Sequence, residues 1–128
     1  MGLLDKFFGG DAPRKTEKKL PWIPLQEIAQ LDAIKKNSSI KPQVIFKHST
    51  RCGISSMVYR QFTKDYTFEK EMDLYYLDLL NYRDISNAIA STFQLVHESP
   101  QILVIKNNVL VAHASHGDIN TVALSKYI

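Results

Sequence analysis

The chain has 128 residues, 45% of them hydrophobic, which is the size of one domain with enough apolar content for a single core, so no second domain is expected. Its net charge of +3 is modest, and the Lys and Arg residues are scattered rather than gathered into a stripe with interleaved aromatics, so nucleic acid is not an expected partner. No run approaches the ~18 apolar residues of a membrane span, and the amino terminus lacks a signal-peptide pattern, so no membrane partner is expected and the cytoplasm is the expected location.

Residues 1–20 read as a flexible or loosely packed tail, in which Lys6, Arg14, Lys15, Lys18 and Lys19 outnumber Asp5, Asp11 and Glu17. Leu3, Leu4, Phe7 and Phe8 have helical spacing and could touch a membrane or a partner, but the stretch is short and stops at Gly9-Gly10, which favours a frayed or packed terminus. Lys6 stands where a myristoylation signal wants Ser or Thr, so no lipid anchor is expected.

The domain is expected over 21–128. Trp22-Ile23 is a short extended start between prolines, and residues 25–36 place Leu25, Ile28, Leu31 and Ile34 at helical spacing before the turn-prone Asn37-Ser38-Ser39. Residues 44–48 form a buried strand. Beyond Cys52, the recurrence of Ile54, Met57, Val58, Phe62 and Tyr66 predicts a helix packed on the sheet by one face. Residues 72–78 are the next strand, in which one of Tyr75 and Tyr76 is expected to pack under a helix while the other faces out or toward the opposite layer, and Ile85, Ala88, Ile89, Thr92 and Phe93 mark a further helix. The strand–helix–strand unit predicts parallel pairing of 44–48 with 72–78. Residues 101–106 and 109–113 are strands joined by the two-residue link Asn107-Asn108, and 118–127 is expected to close as a helix with Ile119, Val122, Ala123 and Tyr127 inward.

That order, βαβαβαββα, is the α/β thioredoxin-like arrangement of a central mixed sheet flanked by helices. A second marker is Ser99-Pro100. A proline directly before an apolar strand belongs at its first residue, and an X–Pro bond is the peptide link that takes the cis form cheaply. In thioredoxin-like proteins a cis-proline at this place faces the nucleophilic cysteine and presents the preceding backbone to an extended thiol substrate, so Ser99 and Pro100 are expected to bind substrate.

The chemistry centres on Cys52, the one cysteine of the chain. It lies where the strand ends and the helix begins, so its sulfur faces unsatisfied backbone N–H groups and the positive end of the helix dipole, both of which favour thiolate. Cys52-Gly53-Ile54-Ser55 has the frame of a thioredoxin-like redox motif with serine in place of the second cysteine, which implies one-thiol chemistry. Ser55 is expected either to attenuate the site or donate a hydrogen bond to the sulfur, or else to be a plain first-turn residue. Lys47, His48 and Arg51 are expected to bring positive charge near the thiolate or near carboxylates on a thiol ligand, with a solvated flank as the alternative and, for His48 at a strand end, a ring that is only packed or hydrogen-bonded.

With Lys47-His48-Ser49-Thr50-Arg51-Cys52-Gly53-Ile54-Ser55 and Ser99-Pro100-Gln101 in hand, the chain from about residue 22 to 128 resembles the monothiol bacilliredoxins, the YtxJ-like proteins of the bacillithiol system. The resemblance implies an enzyme, a monothiol disulfide oxidoreductase, that removes bacillithiol from oxidised protein cysteines. Its catalytic residues are Cys52 and Ser55, and its substrate-binding residues are Lys47, His48, Thr50, Arg51, Gly53, Ser99, Pro100, Gly117 and Asp118. Gly53 stands where family members often carry proline, which makes the motif similar to the C-G-F-S of monothiol glutaredoxins. In glutaredoxin-like proteins the position of Gly117-Asp118 holds the ligand's charged end with backbone N–H groups; a helix N-cap by Asp118 explains it equally well. The implied partners are S-thiolated client proteins and the small thiol as co-substrate, with no tightly bound cofactor, no metal and a monomeric chain. An iron–sulfur carrier formed by two chains and two small thiols is one alternative, and a non-catalytic thioredoxin-fold adaptor is another. His113 and His116 lack recognisable third and fourth ligands, and no phosphate loop or Ser-His-Asp arrangement is present.

Overall fold

The computed structural model describes residues 19–128. The readings made of Leu3, Leu4, Phe7 and Phe8 and of an anchor lie outside them. Leu20, assigned by sequence to the tail, is 9% exposed and packs into the core.

Among the described residues five strands and three α-helices follow one another: β1 (Ile23–Pro24), α1 (Ala29–Asn37), β2 (Gln43–His48), α2 (Gly53–Asp65), β3 (Asp73–Asp78), α3 (Arg83–Phe93), β4 (Gln101–Lys106) and β5 (Val109–Ser115). They form one sheet in the order β1-β3-β2-β4-β5. β2 runs parallel to β3 and antiparallel to β4, and β5 is antiparallel to β4. Since side chains alternate along a strand, β2 sends Val44, Phe46 and His48 to one face and Ile45 and Lys47 to the other. The first face packs with Val58 and Phe62 of α2, the second with Ile34 of α1 and Ile85 and Ile89 of α3. Tyr75 accordingly belongs to the second layer, and Tyr76 contacts Trp22 and Tyr59 on the first.

The helices differ from expectation where period alone was the guide. Residues 25–28 precede α1: Gln30 Oε1 accepts the N–H groups of Gln26 and Glu27, holding a turn there, and Ile28 is left 51% exposed. In α2, the buried stripe is Ser55, Val58 and Phe62, which puts Ile54 and Met57 about 100° to one side, and both are exposed. Thr92 on α3 is also exposed. The expected closing helix is instead two 3-10 turns, His116–Thr121 and Leu124–Tyr127. Ile119 and Leu124 are both buried, yet five residues subtend about 140° on an α-helix, so one continuous helix cannot bury both. The chain breaks at Val122-Ala123, and Ala123 faces solvent.

The β4–β5 link is the expected tight hairpin. Asn107 and Asn108 have φ of 53° and 66°, the pair of left-handed residues that a type I′ turn requires. Asn108 N–H is further held by Ser38 Oγ at 2.8 Å.

Candidate active site

β2 occupies the centre of the sheet, and the chain leaves its end through Ser49, Thr50 and Arg51 to reach Cys52. Cys52 is half-buried and is the residue that precedes α2, with φ −102° and ψ 122°. Its N–H donates to Ser49 O at 3.1 Å and its C=O accepts Ser56 N–H at 3.0 Å, so the backbone on both sides is fixed. No acidic residue lies in the first turn of α2, so any charge on the sulfur meets the helix's unneutralised positive end. Thr50, Arg51 and Gly53 around it are exposed, and a Cβ on Gly53 would meet nothing within 4 Å.

Ser55 is completely buried. Its Oγ lies 2.6 Å from His48 Nδ1 and accepts Ser49 N–H at 3.1 Å. His48 thus decides where the single hydroxyl hydrogen of Ser55 points: to Nδ1 when that nitrogen is bare, and to another acceptor when it carries hydrogen. Burial lowers the His48 pKa, and the nearby Asp78 raises it by less. The imidazole stacks on Tyr59 at 4.9 Å between ring centroids and 12° between planes. Burial thus works against a positive charge on His48, whose ring is packed on Tyr59 and bonded to Ser55, the other outcome that its place at the strand end allows. Asp78 pairs with His48 across β2 and β3 and gives Oδ2 to Asn81, leaving Oδ1 buried without a partner among the described residues.

The Ser99–Pro100 bond is cis. Lys47 and Gln101 are directly opposite in the β2–β4 ladder, so Pro100 lies at the sheet end from which the loop to Cys52 departs. Pro100 is buried and its C=O accepts His116 N–H at 3.0 Å, which ties the following Gly117 and Asp118 to the same end. Gly117 and Asp118 are exposed within a six-residue 3-10 turn.

Lys47 departs from expectation. It is fully buried and on the sheet face opposite His48, so its ammonium is neither a solvated flank nor on the Cys52 side. Nζ donates to His97 Nδ1 at 2.7 Å and to Gln101 Oε1 at 2.9 Å. Burial, with help from the Arg83 charge, brings its pKa down to about 8 against a small upward pull from Glu98. His97 is held below its ordinary pKa by burial and by the charges of Lys47 and Arg83.

Sequence reading missed Tyr59, His97 and Gln101. Tyr59 was within reach, because it lies four residues after Ser55 and so on the same helix face. His97 lies outside β4 and carries no local signal, and Gln101, although next to Pro100, meets Lys47 only through the β2–β4 register.

Comparison with known proteins shows the same fold. The chain shares 39% identity with a structure described as a thioredoxin fold with an inferred oxidoreductase activity, covering 82% of this chain and 91% of that one at a TM-score of 0.69. The Malassezia sympodialis thioredoxin (Mala s 13) superposes at a TM-score of 0.68 with 17% identity, over 86% of this chain and 93% of the other. Mitochondrial thioredoxin 3 from Saccharomyces cerevisiae does so at 0.62 with 22% identity, over 82% and 91%. The sequence model of the monothiol bacilliredoxin BrxC family matches residues 23–124, from β1 to the last 3-10 turn. With its single cysteine ahead of α2 and a thioredoxin fold beneath it, the chain belongs to the monothiol bacilliredoxin family.

Proposed function

We propose that the protein is a monothiol disulfide oxidoreductase that removes bacillithiol from mixed disulfides on client proteins. The observation that carries this reading is the one free cysteine, half-exposed at the start of α2, with a buried serine where a resolving cysteine would stand. The Cys52 thiolate attacks the small-thiol sulfur of protein–S–S–R, forming Cys52–S–S–R while the client sulfur leaves with the bonding pair and takes a proton from water. A second thiolate from solution then attacks the Cys52 adduct, releasing R as a disulfide with that thiol and restoring Cys52. Ser55 has no sulfur with which to resolve the adduct, so the small thiol stays on the protein until an external thiol arrives.

The remaining candidates fall into place around that step. Ser99 and Pro100 form the edge against which the client disulfide lies. Arg51 and Thr50 are exposed beside the sulfur and receive the small thiol's carboxylates, and Gly117 and Asp118 flank the same sheet end. Incubation of the reduced protein with a client–bacillithiol mixed disulfide, followed by intact-mass spectrometry, tests the reading. One bacillithiol should appear on the parent and none on Cys52→Ser, with the client released reduced. A parent that acquires no adduct while its Cys52 alkylates normally would refute bacillithiol removal.

A further inference from the structure

The buried ammonium of Lys47 needs an explanation that stability does not supply. Among the described residues no carboxylate lies within ion-pair distance of it, and its two partners are neutral acceptors. A buried charge without an ion partner is costly, a cost that an apolar side chain of similar length would spare the fold.

What the ammonium holds is the segment leading into Pro100. His97 Nδ1 takes a hydrogen bond from Lys47 and lies 3.0 Å from Ser86 Oγ on α3, so its ring sits between the sheet and a helix. Gln101 accepts from Lys47 through Oε1 and, through Nε2, donates to Val96 O at 3.1 Å, closing residues 96–101 on themselves. Both ends of the stretch containing Ser99 and Pro100 are thereby tied to one nitrogen on β2, five residues before Cys52.

We propose that Lys47 is a positioning residue for disulfide exchange: through His97 and Gln101 it fixes the 96–101 segment, and so sets where a client's disulfide lies against Ser99 relative to Cys52. This rests on the exchange reading above. It also accounts for the placement of Lys47 away from the sulfur, since a residue that shapes the groove from beneath need not touch the substrate.

The test compares Lys47→Met, His97→Leu and His97→Asn, whose Oδ1 can replace Nδ1 as acceptor. Two rates are read: turnover of a client–bacillithiol mixed disulfide, and alkylation of Cys52 by iodoacetamide, which needs no groove. Lys47→Met and His97→Leu should raise KM for the mixed disulfide about tenfold with alkylation within about twofold of the parent, and His97→Asn should restore KM to within about threefold. If KM is unchanged in both disruptive variants, or if alkylation falls together with exchange, the positioning role is wrong. Should Lys47→Met not fold, the His97 pair decides alone. A parent that alkylates but turns over no mixed disulfide overturns the exchange reading itself, and the positioning role with it.

Discussion

Ser55 shows how far one hydroxyl can be committed in place of a second thiol. It is fully buried, accepts Ser49 N–H from the loop that delivers Cys52, and meets His48 Nδ1 at 2.6 Å. Removing that hydroxyl takes one partner from the buried His48 ring and one from the part-buried Ser49 N–H. Ser55→Ala should therefore destabilise the protein by about 1–3 kcal/mol, read from the midpoint of urea unfolding, while leaving Cys52 able to form its small-thiol adduct. Stability within about 0.5 kcal/mol of the parent would mean that the pair contributes nothing net.

At the scale of the element, the start of α2 is already shaped for proline. Gly53 is the first helical residue, where the backbone N–H has no intrahelical partner, and a Cβ there meets nothing within 4 Å. Cys52 before it is extended, at φ −102° and ψ 122°, the region that a residue preceding proline prefers. Gly53→Pro should thus stabilise by about 0.5–1 kcal/mol through the unfolded chain, seen as a higher unfolding midpoint, with the Cys52 adduct still formed. A lower midpoint would show that the turn is not preset. Elements bounded by such punctuation were legible in the sequence: β2 ends at the cysteine loop, β4 begins after Pro100, and Asn107-Asn108 marks the hairpin. The closing helix was not, because the period that suggested it included Ala123, and only the joint burial of Ile119 and Leu124 reveals the break.

For the molecule as a whole, alternation and helical period were enough to give the layer order, since each strand and helix had to bury its apolar stripe against the sheet. Among the described residues no helix is long and apolar enough to cross a membrane. Contacts that join distant segments were illegible, and Lys47 is the clearest case: its partners lie 50 and 54 residues away. The strand's own parity held a clue, because a residue next to Ile45 and Phe46 inside a wholly buried strand cannot be a solvated flank. That burial has a consequence for the stability of the entire fold against pH. With its pKa lowered to about 8 in the folded state and 10.5 when unfolded, Lys47 is charged in both states below pH 8, and the fold bears the full cost of the buried charge. Between those values the folded protein sheds the proton while the unfolded chain keeps it, so stability rises with pH, by up to about 1.4 kcal/mol per pH unit. Lys47→Met removes this contribution. His97, the neighbour of Lys47, is itself held below its ordinary pKa, on the acid side of this window. Urea unfolding of both proteins from pH 7.5 to about pH 10 should therefore show the parent gaining stability relative to Lys47→Met as pH rises. A difference that stays flat or falls across that window would mean that Lys47 keeps its ordinary proton affinity in the folded protein.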